Sequence, residues 1–187
     1  SAFPRAKVFK IGDQSNPLYV PFWLMNFDEL MYFLVGAKPI DDQRPEYREF
    51  REIITRTKKE NYKLRAGEIN PDFITADSPI PFNIRRIWYD INRKVNATYS
   101  IGSQDRQNRE TECLEKEGDA ENLVAAKFQP YSMNNQAPFK AKDAMFYAYE
   151  KKLLARLKDS RYDFMFYPGE YKDQNSGRDL HDLLSDW

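Results

Sequence analysis

The chain has 187 residues, 41% of them apolar and 15% aromatic, which suits one globular domain and excludes wholesale disorder. Its 29 Lys and Arg balance 29 Asp and Glu, so no global field steers it to a phosphate backbone and any nucleic-acid contact must come from a local patch. A single cysteine, Cys113, and a single histidine, His181, exclude an internal disulfide, a Cys-rich zinc cluster and most Ser-His-Asp chemistry.

Residues 7–11 alternate as a strand, closed by Gly12-Asp13, and Asn16 to Pro21 is extended because residues before proline leave the helical region. Asn26 is placed as a helix N-cap, with Glu29 completing a capping box and Met25 and Leu30 forming a hydrophobic staple. That helix is expected to run to about Val35 and to stop at Gly36. A long helix follows from Pro45 to Arg65, where Tyr47, Phe50, Ile54, Thr57, Asn61 and Leu64 make one stripe at three- and four-residue steps. Asn70 to Pro81, with three prolines, reads as an irregular strap. Asn83 caps a further helix with Phe82 and Ile87 as its staple and Ile84, Ile87, Ile91 and Val95 inward. Residues 101–122 are charged and almost free of apolar side chains, which predicts a solvated loop or marginal helix and the most mobile part of the chain. Val124 to Phe128 fits a short strand. A last long helix is expected over Phe139 to Lys158 with Phe146, Tyr149, Leu153 and Leu157 on one face. A strand over 162–166 turns at Pro168-Gly169, and a helix opens at Ser176 with Leu180, Leu183, Leu184 and Trp187 as its stripe. The expected fold is therefore α+β and mainly helical, with about four helices and a few short strands near the two ends.

The chain has no G-x-x-x-x-G-K-[ST] loop, no G-x-G-x-x-G, no H-E-x-x-H and no G-x-S-x-G. Its 7 glycines stand singly at element ends, so none forms a loop that cradles phosphate. Asp41-Asp42 reads as a solvated loop, His181 as a surface histidine, Trp23, Trp88 and Trp187 as packing residues, and Cys113 as an incidental thiol. No catalytic, cofactor-binding or metal residue emerges. No apolar run reaches the roughly 20 residues that span a bilayer and no charged-then-apolar leader opens the sequence, so no membrane partner and a cytoplasmic location are expected.

Two stretches resemble one known family. Asn16-Pro17-Leu18-Tyr19-Val20-Pro21-Phe22-Trp23-Leu24-Met25-Asn26-Phe27-Asp28-Glu29-Leu30 is similar to the "NP-x-x-[IV]-P-[FY]-W-L-[LM]-N-x-x-E-L" signature of bacterial HerA-like ATPases. Asp159-Ser160-Arg161-Tyr162-Asp163-Phe164-Met165-Phe166-Tyr167-Pro168-Gly169 resembles their "D-x-R-[YF]-D-F-[LM]-F-x-P-G" segment. The resemblance covers the two ends of the chain and the middle only in outline. It implies that residues 1–187 are an excised part of a RecA-like α/β ATPase of the HerA/FtsK type, the helical region between its Walker A and Walker B motifs. Ser1-Ala2-Phe3 would be the tail of the segment after the phosphate loop, and Walker B would begin beyond Trp187. The strands 7–11 and 162–166 would then belong to the parent's central sheet, leaving unpaired, association-prone edges here. ATP and magnesium would be cofactors of the parent and not of this fragment. The partners implied are other subunits of a ring that translocates DNA, the DNA itself, and a nuclease or effector protein.

On the helix from Pro45, Arg56, Lys59 and Lys63 lie opposite the buried stripe, with Glu52 and Glu60 near enough to neutralise them. They make either an ordinary solvated face or a contact with DNA in the ring channel or with a neighbouring subunit. Two other readings of the whole chain compete with the motor module. One is a self-standing helical adaptor that binds protein through 101–122, and the other is a small enzyme with an acid/base pair of carboxylates.

Overall fold

A computed structural model describes residues 10–11, 18, 20–39, 43–64, 70–100, 111–134, 136–140 and 144–166. Among them are α1 (Phe27–Val35), α2 (Pro45–Leu64), α3 (Ile84–Asn96), α4 (Tyr147–Leu157) and the single turn α5 (Asp163–Phe166). Two small antiparallel sheets accompany them, β1 (Thr98–Tyr99) with β4 (Phe139–Lys140), and β2 (Leu114–Lys116) with β3 (Lys127–Phe128). The class is mixed α+β and mainly helical, as expected.

Local chemistry accounts for the helix ends. The Asn26 side chain accepts from the Glu29 amide at 2.9 Å while the Glu29 carboxylate accepts from the Asn26 amide at 3.1 Å, so two orphan donors are satisfied reciprocally. Gly36 ends α1 at φ +70°, a left-handed position that a Cβ disfavours. The Asn83 side chain accepts from the Arg86 amide at 3.0 Å at the head of α3.

The core forms where the apolar stripes meet. Helix α4 packs on both α3 and α1. Phe27 meets Tyr47 edge-on at 5.1 Å between α1 and α2, and Phe50 meets Tyr149 at 6.2 Å between α2 and α4. Ile84, Ile87, Ile91 and Val95 are all buried, as are Phe146, Tyr149, Leu153 and Leu157. Each such side chain contributes about 1.5–3 kcal/mol when fully buried. Trp23 and Trp88 belong to this core, as their apolar positions predict.

Four expectations change. Residues 162–166 are helical: Asp159 accepts from the Arg161 amide at 3.1 Å, a 3-10 turn covers Ser160–Tyr162, and α5 follows. The pattern is ambiguous, because Tyr162, Met165 and Phe166 also fit a three- and four-residue step, and Met165 and Phe166 are buried consecutively. This removes the ground for an open sheet edge there. Phe139–Lys140 is a strand, because β1 supplies its backbone partners in the register Thr98↔Lys140 and Tyr99↔Phe139; the helix begins later, through a 3-10 turn at Ala144–Phe146. Within the charged stretch, Leu114–Lys116 is a strand rather than loop or helix, and turns follow it at 120–122. β2 pairs with β3, and Asp119 and Val124 bridge through two 2.8 Å hydrogen bonds. Finally, the described strands lie between Thr98 and Lys140, where the sequence predicts strand only over Val124 to Phe128; near the N-terminal end Lys10 takes part in a β-bridge and its carbonyl accepts from the Leu18 amide at 2.9 Å. Most of strand 7–11, all of 101–110, and the turn and helix beyond Phe166 fall outside the described residues.

Candidate functional site

The outer face of α2 presents Arg56 exposed and Lys59 half-buried, three residues apart, with Lys63 one turn further along the backbone; the Lys63 side chain is outside the described atoms. Glu52 and Glu60 are exposed on the same helix, yet among the described residues no carboxylate lies within 4.0 Å of Arg56 or Lys59. The structure thus keeps Arg56 and Lys59 on the solvent side of α2 without the neutralising pairs that the spacing allows.

Lys58, which the charge pattern of α2 does not single out, has the opposite environment. It lies four residues after Ile54 and three before Asn61, on the buried stripe, and is fully buried. Its Nζ donates to the carbonyls of Ala76 and Ser78, both at 2.6 Å, and stands 5.3 Å from the centre of the Phe82 ring. The Asn61 amide donates to the Pro81 carbonyl, so two polar side chains of α2 hold the strap at 70–82. Burial pushes the Lys58 ammonium down to about 8, against the opposing pull of the Asp77 carboxylate. Its position on the apolar stripe is the one signal the sequence offers.

The second half of the charged stretch docks on α3. Arg93 forms ion pairs with Glu112 and, at 2.5 Å, with Glu117, while the Tyr89 hydroxyl donates to Glu117. The hydrogen bond to Glu112 raises the Arg93 guanidinium further above its already high range. Asn83 and Arg85 hold Glu121 at the other end of the same helix.

This docking opens a cleft of about 790 Å³ between the end of α3, the segment 125–131, β4 and α4. Val95, Ala126 and Phe128 give it apolar lining, beside the polar side chains of Asn96, Thr98 and Gln129. Four larger side chains stand along its sides: Tyr131, Lys140, Tyr147 and Lys151. Lys140 Nζ lies 5.3 Å from the centre of the Tyr131 ring, and Lys151 Nζ 5.4 Å from that of Tyr147. Among the described residues, no Asp or Glu lines the cleft. Behind it, the fully buried Glu150 accepts from Trp88 Nε1 and Asn92 Nδ2, each at 2.9 Å, through one oxygen. Its other oxygen has no hydrogen bond, but the Lys151 ammonium stands 3.3 Å away. That pair orients Lys151 from below. No local pattern in the sequence points to the cleft residues, because they come from four separate segments.

Cys113 is a free thiol, half-buried between strands rather than in a solvated loop. Asp41-Asp42, His181 and Trp187 lie outside the described residues. Among the described residues no group of three or more His, Cys, Asp or Glu comes together, and no helix is long and apolar enough to cross a membrane.

The structure also brings together the two stretches that carry the family resemblance. The Val20 amide donates to the Phe164 carbonyl at 3.2 Å, and the Phe22 and Phe166 rings are 5.6 Å apart. Phe33 of α1 meets Tyr162 at 5.1 Å and Phe166 at 5.8 Å. Arg156 of α4 lies 4.9 Å from the Phe33 ring centre and 4.6 Å from that of Tyr162. No protein-family model matches the chain, and no curated protein matches it.

Proposed function

We propose that residues 1–187 form a structural and assembly module of a HerA-like ATPase, a ring that translocates DNA, and that the module has no activity by itself. The observation that carries this reading is the packing just described. Two segments about 140 residues apart, each resembling the same family, meet in one aromatic cluster. Segments that resemble one family by chance have no reason to be neighbours in space. On this reading ATP and magnesium are bound by parts of the parent outside 1–187, and the Arg56, Lys59 and Lys63 face of α2 looks onto DNA or a neighbouring subunit.

Two measurements test it. The product of the full-length gene should bind and hydrolyse ATP with magnesium and assemble as a ring by native mass spectrometry, while residues 1–187 give no saturable ATP binding by calorimetry. A full-length product that neither hydrolyses ATP nor assembles would sink the proposal. The second is a salt series of DNA affinity with Arg56, Lys59 and Lys63 all changed to Glu. Folding stability should move by no more than about 0.5 kcal/mol at the exposed Arg56, and a circular-dichroism melt of the triple variant checks that it folds, whereas the slope of log affinity against log salt should flatten by roughly 0.9 for each phosphate no longer neutralised. Unchanged slopes would return the three residues to ordinary surface.

A further inference from the structure

We infer that the cleft between α3, β4 and α4 is a binding site for a short run of single-stranded nucleic acid, with phosphates on Lys140 and Lys151 and bases against Tyr131 and Tyr147. The charge balance makes the cleft stand out. The chain as a whole is neutral, yet the described charged side chains lining this concavity are two lysines and no carboxylate. The Glu150 carboxylate lies buried behind the lining and offsets part of the Lys151 charge, so Lys140 is the uncompensated cation among the described residues of the cleft. A neutral protein that binds a polyanion must do so through such a local concentration of one sign.

The neighbouring chemistry narrows the ligand. Each ammonium is paired with a tyrosine ring at 5.3–5.4 Å, and both rings are about half exposed, Tyr131 at 47% and Tyr147 at 54%. A cation beside an accessible aromatic face is the unit that single-strand binders repeat, since every base has a face to stack and every nucleotide a phosphate. The apolar side chains of Val95, Ala126 and Phe128 suit the body of a base, a part that a free inorganic anion lacks. A volume of about 790 Å³ lies in the range of small-molecule sites. It admits one or two unpaired nucleotides, and a duplex, whose bases are stacked inside, cannot present them to the tyrosines. The lysines are also held in place. Lys151 is drawn toward the buried Glu150 at 3.3 Å, and Lys140 sits on a strand paired to β1.

This site deepens the proposed function, because a single strand is one substrate class of a DNA-moving motor, but its test needs only residues 1–187. Fluorescence anisotropy of a labelled twelve-residue oligothymidylate is measured against the purified chain, with a matched duplex and a poly-glutamate peptide as competitors. Saturable binding is expected, displaced by unlabelled oligothymidylate and much more weakly by duplex or peptide. Two neutralised phosphates predict a log–log salt slope of about −1.4. Lys140→Glu with Lys151→Glu should flatten that slope and weaken binding at least tenfold. Tyr131→Leu and Tyr147→Leu should each weaken it roughly five- to a hundredfold, the range that base stacking contributes, while leaving the salt slope unchanged. Both tyrosines and Lys140 are exposed, so circular dichroism and the thermal midpoint serve as the folding check. No saturable binding, equal displacement by poly-glutamate, equal displacement by duplex, or affinity unmoved by both tyrosine changes would each overturn the inference. None of these outcomes touches the ring proposal, which stands or falls on the full-length product.

Discussion

Lys58 and Lys59 are adjacent on α2 and have opposite surroundings, one fully buried under the strap and the other on the solvent side. Burying an ammonium costs free energy unless acceptors surround it, and here the Ala76 and Ser78 carbonyls offset part of that cost. The sign of the pH effect follows from the direction of the shift. In the folded chain Lys58 loses its proton near pH 8 instead of near 10.5, so between those values the unfolded chain binds more protons and stability rises with pH. The measurement is best kept below about pH 9.5, since model tyrosines begin to ionise near 10. Above that, Tyr47, whose phenol is pushed up by burial and by its 2.7 Å hydrogen bond to Asp28, acts in the opposite direction. Urea unfolding should show wild type gaining on the order of 2 kcal/mol from about pH 7.5 to about 9.5 relative to Lys58→Met. Parallel pH profiles for the two proteins would mean that the buried group titrates normally.

At the scale of elements, helices and strands differ in where their information resides. The ends of α1 and α3 were legible because a capping side chain acts within three residues of its target, as Asn26 and Asn83 do. The stripes of α2, α3 and α4 were legible because three- and four-residue spacing needs only the helix itself. The strands were not, because each is two or three residues long and is defined by a partner elsewhere: Thr98 finds Lys140, and Leu114 finds Phe128. The turn joining β2 to β3 allows a direct test. Gly118 packs so closely that a Cβ would touch the Val124 carbonyl oxygen and lie 2.6 Å from backbone atoms of Ala125 and Ala126. Gly118→Ala should therefore cost about 1–3 kcal/mol as overpacking against backbone. Amide exchange at Asp119 and Val124, which donate to one another's carbonyls, should accelerate. Exchange rates equal to wild type would show that the turn absorbs the methyl group.

For the whole molecule, the aromatic cluster of Phe22, Phe33, Tyr162 and Phe166 closes the fold by joining the segment before α1 to the segment after α4. Phe166 is 1% exposed and touches both Phe22 and Phe33. Truncating it to alanine leaves a cavity that α1 and α4, fixed by the rest of the core, cannot fill. Phe166→Ala should cost about 3–5 kcal/mol in chemical unfolding. Tyr162→Phe keeps the ring between Phe33 and Arg156 and should stay within about 1.5 kcal/mol of wild type. A Phe166→Ala cost below that of Tyr162→Phe would show that the two segments are not locked together.

The sequence by itself determined the mainly helical α+β class, the existence and buried faces of four substantial helices, the N-caps of α1 and α3, and the cationic face of α2. All of these depend on residues within one or two helical turns of each other. Only the tertiary structure decided that Phe139–Lys140 and Leu114–Lys116 are strands, that 162–166 is helical, that Lys58 is buried, and that Tyr131, Lys140, Tyr147 and Lys151 share a cleft. The strands and the cleft depend on partners far along the chain and leave no local pattern; at Lys58 and at 162–166 the local pattern admits two readings, and packing against the strap and against Phe22 and Phe33 decides between them.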